Sequence, residues 1–186
     1  MTNYDHIFAL DPSGNFHEGK GTTGYAVWNC TTEQICSYGF ISSKDYPTME
    51  AYWDAHLTLL DLVLAGYSKT GVVIEDYLLY GSKATNQINS RMETPKLIGV
   101  LQYALYQRDR PCHMQPASEV KNRWTNSVLV HKGIIVPTKK GAYSLPDCEV
   151  LAISKHTLDA IRHAVHYASF KNKRRLPNGS KQLAKC

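Results

Sequence analysis

Four side chains, far apart along the chain, are of the types that hold a hard metal ion. Asp11 ends a short apolar run, HIFALD, and Glu75, with Asp76 beside it, ends a second, VVIED. Asp159 lies in KHTLDAIRHAVHYASF, with His156 one helical turn before it. Carboxylates a few ångströms apart repel each other and coexist only with a cation or a shared proton. Hard oxygen donors of this kind suit Mg²⁺ or Mn²⁺, and an imidazole among them shifts the preference toward Mn²⁺. Two such ions roughly 3.5 to 4 Å apart can bind both the attacking water and the leaving oxygen of an in-line phosphodiester displacement.

That chemistry requires particular elements. The stretch Lys155–Phe170 predicts a helix: Leu158, Ile161, Val165 and Ala168 recur every three or four residues as an apolar stripe, and Ser154 is placed to cap its start. Away from that stripe, His156, Asp159, His163 and His166 form a second one of groups that ligate metals or move protons. HIFALD reads as a strand running into the Pro12-Ser13-Gly14 turn. Tyr25–Trp28 and Gln34–Ile41 complete an antiparallel meander. VVIED, apolar without alternation, reads as a central strand covered on both faces. Helices are expected over Thr48–Ala65 and Thr85–Tyr106, and a strand over His113–Val120. Val128–Leu151 reads as loop with a short helix or hairpin. Strand and helix alternating after a meander imply an α/β layer fold with a mixed sheet.

The chain has 186 residues, 43% of them hydrophobic, enough for one sizeable core. Five cysteines, Cys30, Cys36, Cys112, Cys148 and Cys186, lack zinc-type spacing and imply reduced thiols. No apolar run reaches membrane-spanning length and the start lacks a secretory pattern, so a soluble cytoplasmic protein is expected, with no membrane partner. The net charge of +5 is less than the six Lys and Arg residues of Lys171–Cys186, a segment without acids. The positive charge is therefore a tail, including Lys171, Lys173, Arg174 and Arg175, and its simplest partner is a nucleic acid. Lys121 and Arg123, beside Trp124, are candidates to track a phosphate backbone. His17, His56, His113 and His131 are read as structural.

The strings FALDPSGNFHEGKGTTGYAV, VVIED, PASEVKNRWT and HTLDAIRHAV resemble the RuvC-type Holliday junction resolvases, particularly their phage-type members, over most of residues 5 to 170. The resemblance implies an RNase H-like fold, a mixed five-stranded sheet with helices on both faces, occupying residues 1–170 ahead of the basic tail of 171–186. It implies a homodimer that resolves four-way DNA junctions by paired symmetric nicks, in the cytoplasm of a bacterial cell or phage-infected host, with two Mg²⁺ or Mn²⁺ ions per site and no organic cofactor. Asp11, Glu75, His156 and Asp159 would be catalytic residues and metal ligands. It selects Glu75 over Asp76, which strand alternation turns the other way and which is left as a rim or supporting residue. His163 reads either as a supporting residue that orients Asp159 or contacts phosphate, or as a surface residue. Lys121 matches a basic residue placed near the substrate phosphates. The family more often carries a carboxylate at the position of His156.

Other readings remain open. The same fold serves other branched DNA or RNA/DNA hybrids, and a scaffold of this kind can bind junctions without cutting them. An Asp followed by Gly, Thr and Gly after the first strand also resembles the phosphate loop of sugar kinases and actin, but no second Asp-Gly-Gly-like segment accompanies it.

Overall fold

The computed structural model describes residues 3–78, 91–138, 141–146 and 152–172. In chain order the elements are β1 (His6–Asp11), β2 (Thr22–Asn29), β3 (Gln34–Ser42), α1 (Met49–Gly66), β4 (Thr70–Asp76), α2 (Glu93–Gln107), β5 (Cys112–Pro116), α3 (Ala117–Lys121), α4 (Asn126–His131), a small hairpin of β6 (Val136–Pro137) and β7 (Tyr143–Ser144), and α5 (Lys155–Phe170). The five main strands form one mixed sheet in the order β3-β2-β1-β4-β5. β1 pairs antiparallel with β2 and parallel with β4, and β4 pairs parallel with β5. Among the described residues no helix is long and apolar enough to cross a membrane.

Because side chains alternate along a strand, β1 and β4 feed two cores. Phe8, Leu10, Val72 and Ile74 pack under α1 and α2 with Tyr52, Leu60, Leu97 and Leu101. Ile7, Ala9 and Val73 face the other way, under α5, α3 and α4, with Ile161, Val165, Val120 and Leu129. A fully buried Leu or Ile contributes on the order of 1.5–3 kcal/mol, so both layers hold the sheet strongly. The expected mixed five-stranded sheet with helices on both faces is the observed one.

Several local expectations change. β5 stops at Pro116, and residues 117–120, expected to continue a strand, turn with Lys121 into α3. Ala, Ser, Glu, Val and Lys there bury only Val120, as one helical turn does, where a strand would bury alternate positions. The expected helix from Thr85 begins, within the described residues, at Glu93, after Arg91 and Met92 in the left-handed region at φ of 57° and 54°. Its residues 85–90 lie outside the described ones. In α5, His163 and His166 of the second stripe are buried along with the apolar stripe. The sheet covers one side of α5, and α3 packs against another.

Candidate metal centre

Parallel pairing of β1 and β4 sets the first two carboxylates side by side. Leu10 is paired with Ile74 and points into the α1/α2 core, so the next residues, Asp11 and Glu75, both emerge on the α5 side. Asp76 then turns to the opposite face, and the structure does not bring it to the other acids. Asp11 also lies across from Gly24 on β2. A Cβ at Gly24 would land on the backbone carbonyl of His156, so glycine is what lets the first turn of α5 lie directly on the sheet. Ser154 starts that helix, its side chain accepting from the Thr157 backbone N–H at 3.0 Å. One turn later, Asp159 comes down beside Asp11 and Glu75.

Asp11, Glu75 and Asp159 each offer a carboxylate oxygen, and the three oxygens lie within 4.8 Å of one another. Asp11 is 7% exposed and Asp159 only 2%. His156 is not in that trio. Its Nδ1 donates to Asp11 Oδ2 at 2.7 Å, leaving Nε2 as its remaining nitrogen. Buried negative charge this dense must be met by hydrogen bonds and cations. His163, fully buried, donates from Nε2 to Glu75 Oε2 at 2.9 Å, while its Nδ1 lies 2.8 Å from the side-chain oxygen of Gln115. Arg162 pairs through Nη1 with Asp159 Oδ1, through Nη2 with Asn126 Oδ1, and donates from Nε to the Trp124 carbonyl at 2.9 Å. Lys121 Nζ lies 3.3 Å from Glu75 Oε1 and 3.1 Å from Asp159 Oδ2.

These contacts decide the charge states. Burial, reinforced by Glu75 and Asp159, pushes the Asp11 carboxyl up to about 6, although the bond from His156 works against it. Burial also acts to raise Glu75, but His163 and Lys121 outweigh it and hold that carboxyl below its ordinary value. The bond to Asp11 holds His156 above the usual imidazole range against the effect of burial. Burial would lower Lys121, but Glu75 and Asp159 win and keep its ammonium charged. The donor set is thus three carboxylate oxygens, the set a hard divalent cation such as Mg²⁺ or Mn²⁺ takes, and these residues could hold one.

The other sequence candidates are spread out. His163 serves Glu75, not Asp159 or a phosphate, because the neighbouring Arg162 has taken Asp159. Arg123 is exposed, its guanidinium carbon 4.3 Å above the centre of the Phe170 ring. Lys171 is exposed just past α5, whose length puts that end about 16 Å from Asp159. Lys173, Arg174 and Arg175 lie outside the described residues. Sequence reasoning missed Gln115, Asn126 and Arg162. Arg162 carried a signal in its spacing of three from Asp159 on a helix; Gln115 and Asn126 carried none.

No protein-family model and no curated protein matches this chain. Among solved structures, Thermus thermophilus RuvC in complex with a Holliday junction substrate is similar, with a TM-score of 0.62 and 14% identity over 91% of this chain and 98% of that one. A second T. thermophilus RuvC structure gives 0.58 and 10%, covering 90% and 95%. The chain therefore has the RNase H-like fold seen in RuvC, with the carboxylates of β1, β4 and α5 gathered on one face of its sheet.

Proposed function

We propose that this chain is a RuvC-type nuclease that resolves four-way DNA junctions by paired symmetric nicks, using divalent ions held by Asp11, Glu75 and Asp159. The observation that carries the reading is the meeting of three carboxylates from three separate elements, within 4.8 Å, on a fold shared with RuvC. The similar structure bound to a Holliday junction substrate supports the choice of DNA.

When bound, divalent ions, two per site with His156 as a further donor, supply an activated water and neutralise charge building on the phosphate during in-line displacement. The chain's own residues prepare the rest. His163 and Arg162 fix one oxygen each of Glu75 and Asp159, so the donors are oriented in advance. His156 stands at the half-exposed rim with Nδ1 on Asp11, which leaves Nε2 as its one nitrogen for an ion. Lys121, Arg123 and Lys171, with Lys173, Arg174 and Arg175, contact phosphates and position the junction, giving affinity that falls steeply with salt. Two coordinated nicks require two sites in fixed relation, so the working form is a homodimer.

The test is a synthetic four-way junction with Mg²⁺. The wild-type chain is expected to nick two opposed strands and leave 5′-phosphates, while Asp11→Asn and Asp159→Asn fall to background cutting. Full cutting by both variants would rule the mechanism out. A panel of duplex, forked and RNA/DNA hybrid substrates separates junction resolution from other uses of the same centre, and junction binding without any cutting by the wild type would mark a binding module.

A further inference from the structure

Each of the three carboxylates has one oxygen tied down by a neighbouring side chain. Asp11 Oδ2 accepts from His156, Glu75 Oε2 from His163, and Asp159 Oδ1 from Arg162. Two of those three holders are themselves anchored: His163 by Gln115, and Arg162 by the Trp124 carbonyl and Asn126. His163 is fully buried and the Arg162 side chain nearly so. Neither can leave without stranding a buried polar partner. That leaves Asp11 Oδ1, Glu75 Oε1 and Asp159 Oδ2 as the oxygens for a cation. Lys121 Nζ already lies against the last two of them, at 3.3 and 3.1 Å.

Lys121 is held more loosely than Arg162. Its side chain is 40% exposed, against 13% for Arg162. Among the described residues its ammonium contacts these two carboxylates and nothing that pins it elsewhere. It extends from the end of the five-residue α3 on a flexible four-carbon stem. A divalent ion binds carboxylate oxygens at about 2.0–2.6 Å, inside the space an ammonium needs at about 3 Å, so the two cannot share Glu75 Oε1 and Asp159 Oδ2.

We infer that Lys121 is a tethered counter-cation: its ammonium holds the assembled carboxylates together in the ion-free protein and is displaced from Glu75 Oε1 and Asp159 Oδ2 when a divalent ion binds. This rests on the proposed metal centre and adds an exchange step to it. The freed ammonium stays within a side chain's reach of the site, at the edge where a substrate phosphate would lie. Metal loading and the appearance of a phosphate-binding cation are then one event.

Two measurements on the intact protein test this, both with Ca²⁺ as the probe so that no turnover is needed. In calorimetric titration, Lys121→Met is expected to bind Ca²⁺ about tenfold or more tightly than wild type, because the competing charge is gone. Lys121→Arg, which keeps a tethered cation and guards against misfolding of the Met variant, is expected to stay near the wild-type affinity. In the second measurement, an amine-acylating reagent followed by peptide mapping is expected to modify Lys121 of the wild type several-fold faster at saturating Ca²⁺, with Lys132 unchanged. Ca²⁺ binding that leaves Lys121 labelling unaltered, or an affinity in Lys121→Met no higher than wild type, would overturn the exchange while leaving the nuclease reading intact. Failure of Ca²⁺, Mg²⁺ and Mn²⁺ alike to bind the wild type would sink both.

Discussion

Two clusters of buried polar side chains sit back to back across the sheet, where β1 ends beside β2. On the α1 side, Thr23, Tyr52, His56 and the backbone of Ser13 form a closed neutral network. The Tyr52 hydroxyl donates to the Ser13 carbonyl at 2.8 Å, and the Ser13 N–H donates to Thr23 Oγ1 at 3.2 Å. His56 Nδ1 donates to the Tyr52 carbonyl at 2.6 Å, which leaves Nε2 to accept from the Thr23 hydroxyl at 2.8 Å. Burial presses the His56 imidazole down to about 4 and the Tyr52 hydroxyl up to about 12, so both stay neutral. On the α5 side lie Asp11, Glu75 and Asp159, whose charge is only partly met. The first cluster is complete and pins the loop after Asp11; the second keeps unused binding capacity. One is built for stability, and the other gives up some stability to gather carboxylates that could hold a cation.

The sharpest way to break that contrast is to remove a cation from the acid side. Arg162→Ala leaves Asp159 buried without its partner and the Trp124 carbonyl without its donor. Losing one member of a buried pair costs about 3–5 kcal/mol, so urea unfolding is expected to show the largest drop in stability here, with cutting lost in whatever remains folded. A variant of near wild-type stability would mean that the pair is not what holds α5 to the loop bearing Trp124.

On the other side of the sheet, His56→Ala is expected to cost about 2–4 kcal/mol through the cavity and the lost bonds, while the folded fraction still cuts. Abolished cutting at unchanged stability would reverse the assignment of the two clusters. His56 also gives the wild type a pH dependence. Its folded value, about 4, lies below the ordinary 6.5, so its contribution is complete above 6.5 and is lost as pH falls toward 4. The size is on the order of 3 kcal/mol. Comparing acid unfolding of the wild type with His56→Gln isolates this part: the Gln variant is expected to be flatter between pH 6.5 and 4.

What the sequence disclosed follows the same division. The apolar runs ending in acids, HIFALD and VVIED, announced strands, and VVIED, without alternation, announced one covered on both faces, because a central strand under two helical layers has no polar face to alternate with. The spacing of Ser154, Leu158, Ile161 and Val165 announced α5, because cap and stripe are local. The partners of the site were not local. Gln115 meets His163 only because β5 adds beside β4 in a register that pairs it with Glu75. Lys121 reaches the site because the chain breaks into α3 after Pro116 when a longer strand was expected. The start of α2 was hidden because Arg91 and Met92 adopt left-handed backbone that no glycine advertises.

The last and smallest effect concerns Asp11, and its sign is opposite to that of His56. Its folded value, about 6, lies above the ordinary 3.8, because burial and the neighbouring carboxylates disfavour the charged form. Below about 4 the group is protonated in both states and takes nothing from stability. As pH rises through 6, the folded chain must carry a charge that the unfolded chain carries more easily, and stability is lost. Asp11→Asn is neutral at every pH and keeps nearly the same shape. Without divalent ions it is therefore expected to match the wild type near pH 4 and to exceed it near pH 7 by about 1–3 kcal/mol in urea unfolding. Adding Mg²⁺ should narrow the gap, because an ion that binds only the folded wild type stabilises it by mass action, while the Asn variant has lost a donor. A variant no more stable than wild type at pH 7 in chelator would mean that the bond from His156 fully offsets the burial of Asp11, and that this carboxylate is structural in the same sense as the Thr23–His56 network behind it.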